Sequence, residues 1–117
     1  MDSYADYDAM GLAERVRKGE VSASELLSEA VSRAETAQKD LNCFSAMFPD
    51  VAEGQIADGL PDGPFAGVPM AVKDLGFEIE GQPLTNGSLA FRDNVSTYDS
   101  ELCKRYKAAG LTLFGQT

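Results

Sequence analysis

Phe65-Ala66-Gly67-Val68-Pro69-Met70-Ala71-Val72 is almost continuously apolar and is bounded by turn residues. A run this short and this apolar reads as a strand buried on both faces. Such a strand needs cover above and below, which points to an α/β architecture rather than a sheet with one wet face. Pro69 cannot donate to a ladder, so the strand is expected to begin at or after it. The chain closes on Leu111-Thr112-Leu113-Phe114 and Gly115-Gln116-Thr117, a second apolar strand with no helix after it. The expectation is therefore the front piece of a larger α/β protein.

The first third reads as helical. Met10, Leu12, Ala13 and Val16 form an apolar stripe between Asp6 and Lys18. Lys18-Gly19 suits a helix end, with a cation in the last turn and glycine at the left-handed position after it. Ser22-Ala23-Ser24-Glu25 then has capping-box spacing. Leu26, Leu27, Ala30, Val31, Ala34 and Leu41 are the expected buried face of the helix that follows. The two form an αα-hairpin over residues 1–45. Phe44 to Phe48 reads as a short extended piece, and Pro49 to Pro64 as a loop punctuated by Gly54, Gly59, Pro61, Gly63 and Pro64.

Gly81-Gln82-Pro83 and Asn86-Gly87 are turn signals. Asp99 is the expected N-cap of a third helix, with Leu102, Cys103 and Tyr106 on its inner side and Gly110 at its end. Strand, connection, helix and strand over 65–117 imply a parallel βαβ crossover, the start of an α/β core. The whole chain of 117 residues is read as one segment.

Composition removes several function classes. The net charge of −9 disfavours a nucleic-acid surface and anionic lipid. No apolar stretch approaches the ~20 residues that span a bilayer. Histidine is absent, which excludes histidine triads, histidine-ligated zinc and imidazole shuttles. The acidic residues lack metal-loop spacing, and the glycines lack the pattern of a phosphate-binding loop. Neither a cofactor nor a metal is expected. Met1 to Asp6 lacks the regions of a signal peptide, so a cytoplasmic location is expected, with Cys43 and Cys103 reduced. Cys103 reads as core, and Cys43 has no cation beside it in sequence to lower its pKa.

Lys73 is the odd residue, because it directly follows the most apolar stretch. If the strand end is buried, desolvation disfavours the ammonium and leaves a base able to take a proton from a serine hydroxyl. The competing reading is a lysine that snorkels to water or holds a salt bridge. Asp74 is adjacent but belongs to the opposite face of a strand, so it need not pair with Lys73. Ser88 follows Asn86-Gly87 and reads as a turn serine. Thr85 fits either a turn or the lining of a site.

Gly67-Val68-Pro69-Met70-Ala71-Val72-Lys73-Asp74 resembles the segment that carries the catalytic lysine of amidase signature enzymes. Gly81-Gln82-Pro83-Leu84-Thr85-Asn86-Gly87-Ser88 is similar to the family's G-x-P-x-T-x-G-S stretch. Asp99 to Leu102, Ala108-Ala109-Gly110 and Gly115-Gln116-Thr117 resemble its helix, its turn and its G-K-T end. Gly19 to Leu27 resembles its N-terminal helices. The departures are Gln116, where the family usually has lysine, and the less aliphatic Leu111 to Phe114. The resemblance implies the opening of a mixed, largely parallel sheet preceded by a helical hairpin. It also implies a Ser–cis-Ser–Lys hydrolase of carbon–nitrogen bonds with Lys73 as the base, both serines lying beyond Thr117. On that reading the substrate is a small-molecule amide, with no nucleic acid held directly, no membrane, and a homodimer of the full-length protein left open. The substrate-binding residues stay unassigned, and the 117 residues alone are expected to be inactive. Two alternatives remain open: an amidotransferase A-type subunit making ammonia for an aminoacyl-tRNA partner, and a non-catalytic binding module.

Overall fold

Capping chemistry sets the first two helices in the computed structural model, which describes residues 4–117. The acidic opening read at Met1 to Ser3 lies outside the described residues. Asp8 caps α1 (Ala9–Arg17) by accepting from the Gly11 amide. Ser22 caps α2 (Ala23–Leu41) with the complete capping box: its hydroxyl accepts from the Glu25 amide at 3.1 Å, and the Glu25 carboxylate accepts from the Ser22 amide at 2.8 Å. Asn42, with φ 48°, ends α2 in the left-handed conformation.

The expected apolar faces are only partly the buried ones. Leu12 and Ala13 are buried, as are Leu26, Leu27, Ala30 and Ala34. Met10 and Leu41 are exposed instead, Leu41 to 71%. Both sit at helix ends, where the apolar stripe runs past the element it packs on.

After α2 come β1 (Ala46–Met47), α3 (Pro49–Ala57), β2 (Pro69–Val72), α4 (Glu101–Ala108) and β3 (Thr112–Gln116). Helix α3 occupies ground expected to be loop. Pro49 at its first turn supplies a preset φ, and Ala52 is fully buried against Leu27, Ala30 and Phe114. Gly54 and scattered carboxylates hide that short face in the sequence, and tertiary packing on β3 decides it. The Gln55 side chain accepts the Leu113 amide at 3.3 Å, fastening α3 to the sheet.

The sheet has the order β1-β3-β2. β2 and β3 are parallel, joined through α4 as the crossover pattern requires, and β1 is antiparallel to β3. The fold is thus α/β with a mixed sheet behind an N-terminal helical hairpin. Met70 faces Leu113 and Ala71 faces Gly115, so Phe114 is an extra residue that bulges from β3. Phe114 joins the α2 and α3 side chains, whereas Leu113 packs with Val72, Phe77, Ile79 and Cys103. Both faces of the central strand are covered, and all five of its residues are buried.

Two expectations about α4 need correction. Its N-cap is Ser100, whose hydroxyl accepts the Cys103 amide at 3.2 Å. Asp99 instead accepts the Glu80 amide at 2.9 Å and binds the Lys107 ammonium at 2.6 Å. Leu102, expected inside, is 48% exposed, because the inner side of α4 is carried by Cys103 and Tyr106. Gly110 ends α4 at φ 90° against the 63–67 segment, where a Cβ would lie 2.5 Å from the Ala66 Cα.

Candidate functional site

The carboxyl ends of β2 and β3 open onto a groove of about 650 Å³. Its walls include Cys43, Ser45, Lys73, Asp74, Asn86 and Thr117. Four separate stretches converge there: the link from α2 to β1, the chain leaving β2, the turn at 85–87, and Thr117 just after β3. The outer end of a parallel strand pair is where α/β sheets commonly place a ligand.

The backbone at Lys73 is held on both sides. The Val72 carbonyl accepts the Thr117 amide at 2.8 Å, and the Asp74 amide donates to the Thr117 carbonyl at 2.8 Å. Lys73 itself is exposed. The apolar run ends at Val72, and among the described residues the side chain after it stands in the open groove. Among the described residues no ion pair holds Lys73, which leaves its amine available.

Asp74 is the buried member of the pair, at 5% exposure. One carboxylate oxygen accepts the Thr85 amide at 2.7 Å and the other accepts the Thr85 hydroxyl. Burial acts to raise this carboxyl, but the hydrogen bonds from Thr85, with smaller help from Ser45 and Asn86, outweigh it. Asp74 therefore titrates below the usual carboxylate range. The Thr85 hydroxyl also accepts the Gly87 amide at 3.2 Å, and the Asn86 side chain accepts the Gly76 amide at 3.0 Å. Asn86 and Gly87 have φ of 51° and 70°, the backbone that an Asn-Gly turn favours.

Strand alternation, which separates Asp74 from Lys73, was the legible part of this arrangement. The pairing of Asp74 with Thr85 was not, since it spans eleven positions. Ser88 has the turn role: its hydroxyl accepts the Ala90 amide at 3.3 Å at the start of the short turn Leu89–Phe91. Cys43, which lacks a cation in sequence, lines the same groove as Lys73. Gln116 is fully buried, and neither its amide nitrogen nor its amide oxygen has a partner among the described residues. Among the described residues no cluster of three metal-ligating side chains exists, and no helix is long and apolar enough to cross a membrane. A second hollow, about 330 Å³ between α2 and α3, is lined by Leu27, Val31 and Pro49 with Glu35, Asp50 and Glu53. Among the described residues no cation lines it, and its Glu53 accepts from the Ser24 hydroxyl.

A family model described as Amidase matches residues 25–117, which takes in every element that builds the groove. The chain belongs to the amidase family. It is 32% identical over 117 residues to the amidase-designated protein AmiC of Mycobacterium tuberculosis, covering 99% of this chain and 24% of that one. It is 33% identical over 124 residues to the A-type subunit of the glutamyl-tRNA(Gln) amidotransferase from Salinispora tropica, covering 100% of this chain and 25% of that one. A solved structure of 6-aminohexanoate cyclic dimer hydrolase complexed with substrate superposes with a TM-score of 0.89 at 29% identity, covering 100% of this chain and 24% of that one. The chain thus spans about a quarter of the length of the amidase relatives that it matches.

Proposed function

We propose that this chain is the Lys73-bearing part of an enzyme that hydrolyses carbon–nitrogen bonds of small amides. The observation that carries the reading is Lys73 itself, without an ion-pair partner among the described residues, in a groove at the end of a parallel strand pair and inside the stretch matched by the amidase family. Residues 1–45 serve as the helical hairpin, and residues 65–117 as the start of the catalytic α/β core. The family resemblance supplies the nucleophile from beyond Thr117. There the Lys73 amine takes a proton through a serine in a cis peptide bond, and the second serine attacks the amide carbon. The new C–O bond forms as the C–N bond breaks, the leaving amine takes the proton, and water then splits the ester. Cytoplasmic location belongs to the same reading.

Within the family a second task has specific support. The identity to the glutamyl-tRNA(Gln) amidotransferase chain, 33%, is level with the 32% to AmiC. On that reading the released ammonia is delivered to an aminoacyl-tRNA partner, with RNA contact supplied by a different polypeptide because this chain carries a net charge of −9.

The 117 residues hold the base without the nucleophile, which leaves no covalent route. Small aryl and aliphatic amides should therefore show no turnover with the 117-residue chain, and ammonia or amine release with the complete polypeptide that contains it. Turnover by the 117 residues that disappears in Lys73→Ala would overturn this division of labour. A complete polypeptide inert toward simple amides, but active once a tRNA-binding partner is added, would select the amidotransferase task.

A further inference from the structure

We infer that Thr85 and Asp74 act together as positioning residues for Lys73, fixing the backbone from which the lysine side chain rises into the groove. The inference rests on the reading of Lys73 as the base.

Lys73 and Asp74 are neighbours in one groove wall. Lys73 is exposed and Asp74 is buried, so the two side chains leave the backbone on different sides. The Asp74 carboxylate ties this stretch to the turn at 85–87. Both carboxylate oxygens accept from Thr85, one from its amide and one from its hydroxyl. Thr85 is itself anchored, since its hydroxyl also accepts the Gly87 amide. The Asn86 side chain accepts the Gly76 amide, so the segment 73–76 is fastened at its far end as well.

The result is a clamp with three points. Thr117 grips the backbone before and after Lys73. Thr85 holds the Asp74 side chain, and Asn86 holds Gly76. Between those points the Lys73 side chain is the one left without a hydrogen-bond or ion-pair partner among the described residues. A carboxylate accepts from both Thr85 donors at once, one on each oxygen, whereas an asparagine offers a single acceptor oxygen. The charged or titratable side chains lining the groove are Lys73, Asp74 and Cys43.

The test uses the complete polypeptide that contains residues 1–117, with amide hydrolysis as the readout and thermal unfolding as a check on folding. Thr85→Val removes the hydroxyl donor and keeps the shape. It should lower kcat by about 10–100-fold, the cost of a misplaced catalytic group, with little change in KM. Thr85→Ser restores the donor and should return kcat to within a few-fold of the native value. Asp74→Asn, isosteric with the native side chain, is the second variant should Thr85→Val fail to fold, and it should lower kcat in the same way. A folded Thr85→Val or Asp74→Asn with native kcat overturns the inference, as does a Thr85→Ser no better than Thr85→Val. Lys73→Ala is measured in parallel. If it too retains activity, the base reading fails; if it is inactive while the other two are unimpaired, only the positioning role fails.

Discussion

Cys43 and Cys103 carry the same thiol into two different surroundings. Cys103 is fully buried under α4, and burial pushes its thiol up to about 12, with Asp99 adding to the rise and Lys107 opposing it. Cys43 is half-buried at the groove. An aromatic disulfide reagent at about pH 8 should therefore modify Cys43 quickly and reach Cys103 only on unfolding. Equal fast rates for both thiols would contradict the packing of α4. Asp74 makes a second prediction at this scale. Its folded carboxyl titrates below the unfolded value near ~3.9. The sign follows directly: its contribution to stability is present above the unfolded value, and is lost as pH falls through the lower folded one. Denaturant midpoints measured from about pH 6 downward should fall steeply below about pH 4 in the native chain and less steeply in Asp74→Asn. Parallel curves would show that the Thr85 contacts do not hold the carboxylate.

The elements differ in how far the sequence discloses them. The capping box at Ser22 and Glu25 is local chemistry, so it is legible from four residues and present as read. Ser22→Ala should cost about 1 kcal/mol by chemical denaturation, since it strips a cap from a nineteen-residue helix. The β2–α4–β3 crossover is legible for a similar reason: its apolar runs and its Gly110 stop lie in sequence order. Gly110→Ala meets both a φ of 90° and the Ala66 backbone, and should cost at least about 1–3 kcal/mol. A variant as stable as the native chain would show that the 63–67 segment does not pack where described. Helix α3 was hidden because its reason for existing is Ala52 against Phe114, sixty-two positions away. Ser100 displaced Asp99 as a cap for a related reason, since Asp99 is drawn off by Glu80 and Lys107. The groove was half legible: motif order disclosed Lys73, while the Asp74–Thr85 contact and the approach of Cys43 and Ser45 depend on the folded topology.

At the scale of the molecule, two of the three strands among the described residues are edges, because only β3 has a neighbour on each side. Leu75, Leu89, Phe91 and Leu102 stand exposed, Leu89 to 83%. Leu75 and Leu89 line the groove. Open edges beside exposed apolar side chains favour association. Sedimentation of the 117-residue chain should show association that grows with concentration, and its melt should be broad. A monomer with a sharp two-state transition would favour a self-sufficient module. Activity in the proposed enzyme turns on the amine at the head of this groove. The most direct measurement is the rate of amide hydrolysis by the complete polypeptide with Lys73→Ala, with thermal unfolding as the check on folding. The predicted result is a loss of at least about 10²–10⁴-fold in kcat/KM, the scale of a positioned general base. A folded Lys73→Ala enzyme that cleaves amides at the native rate would contradict it.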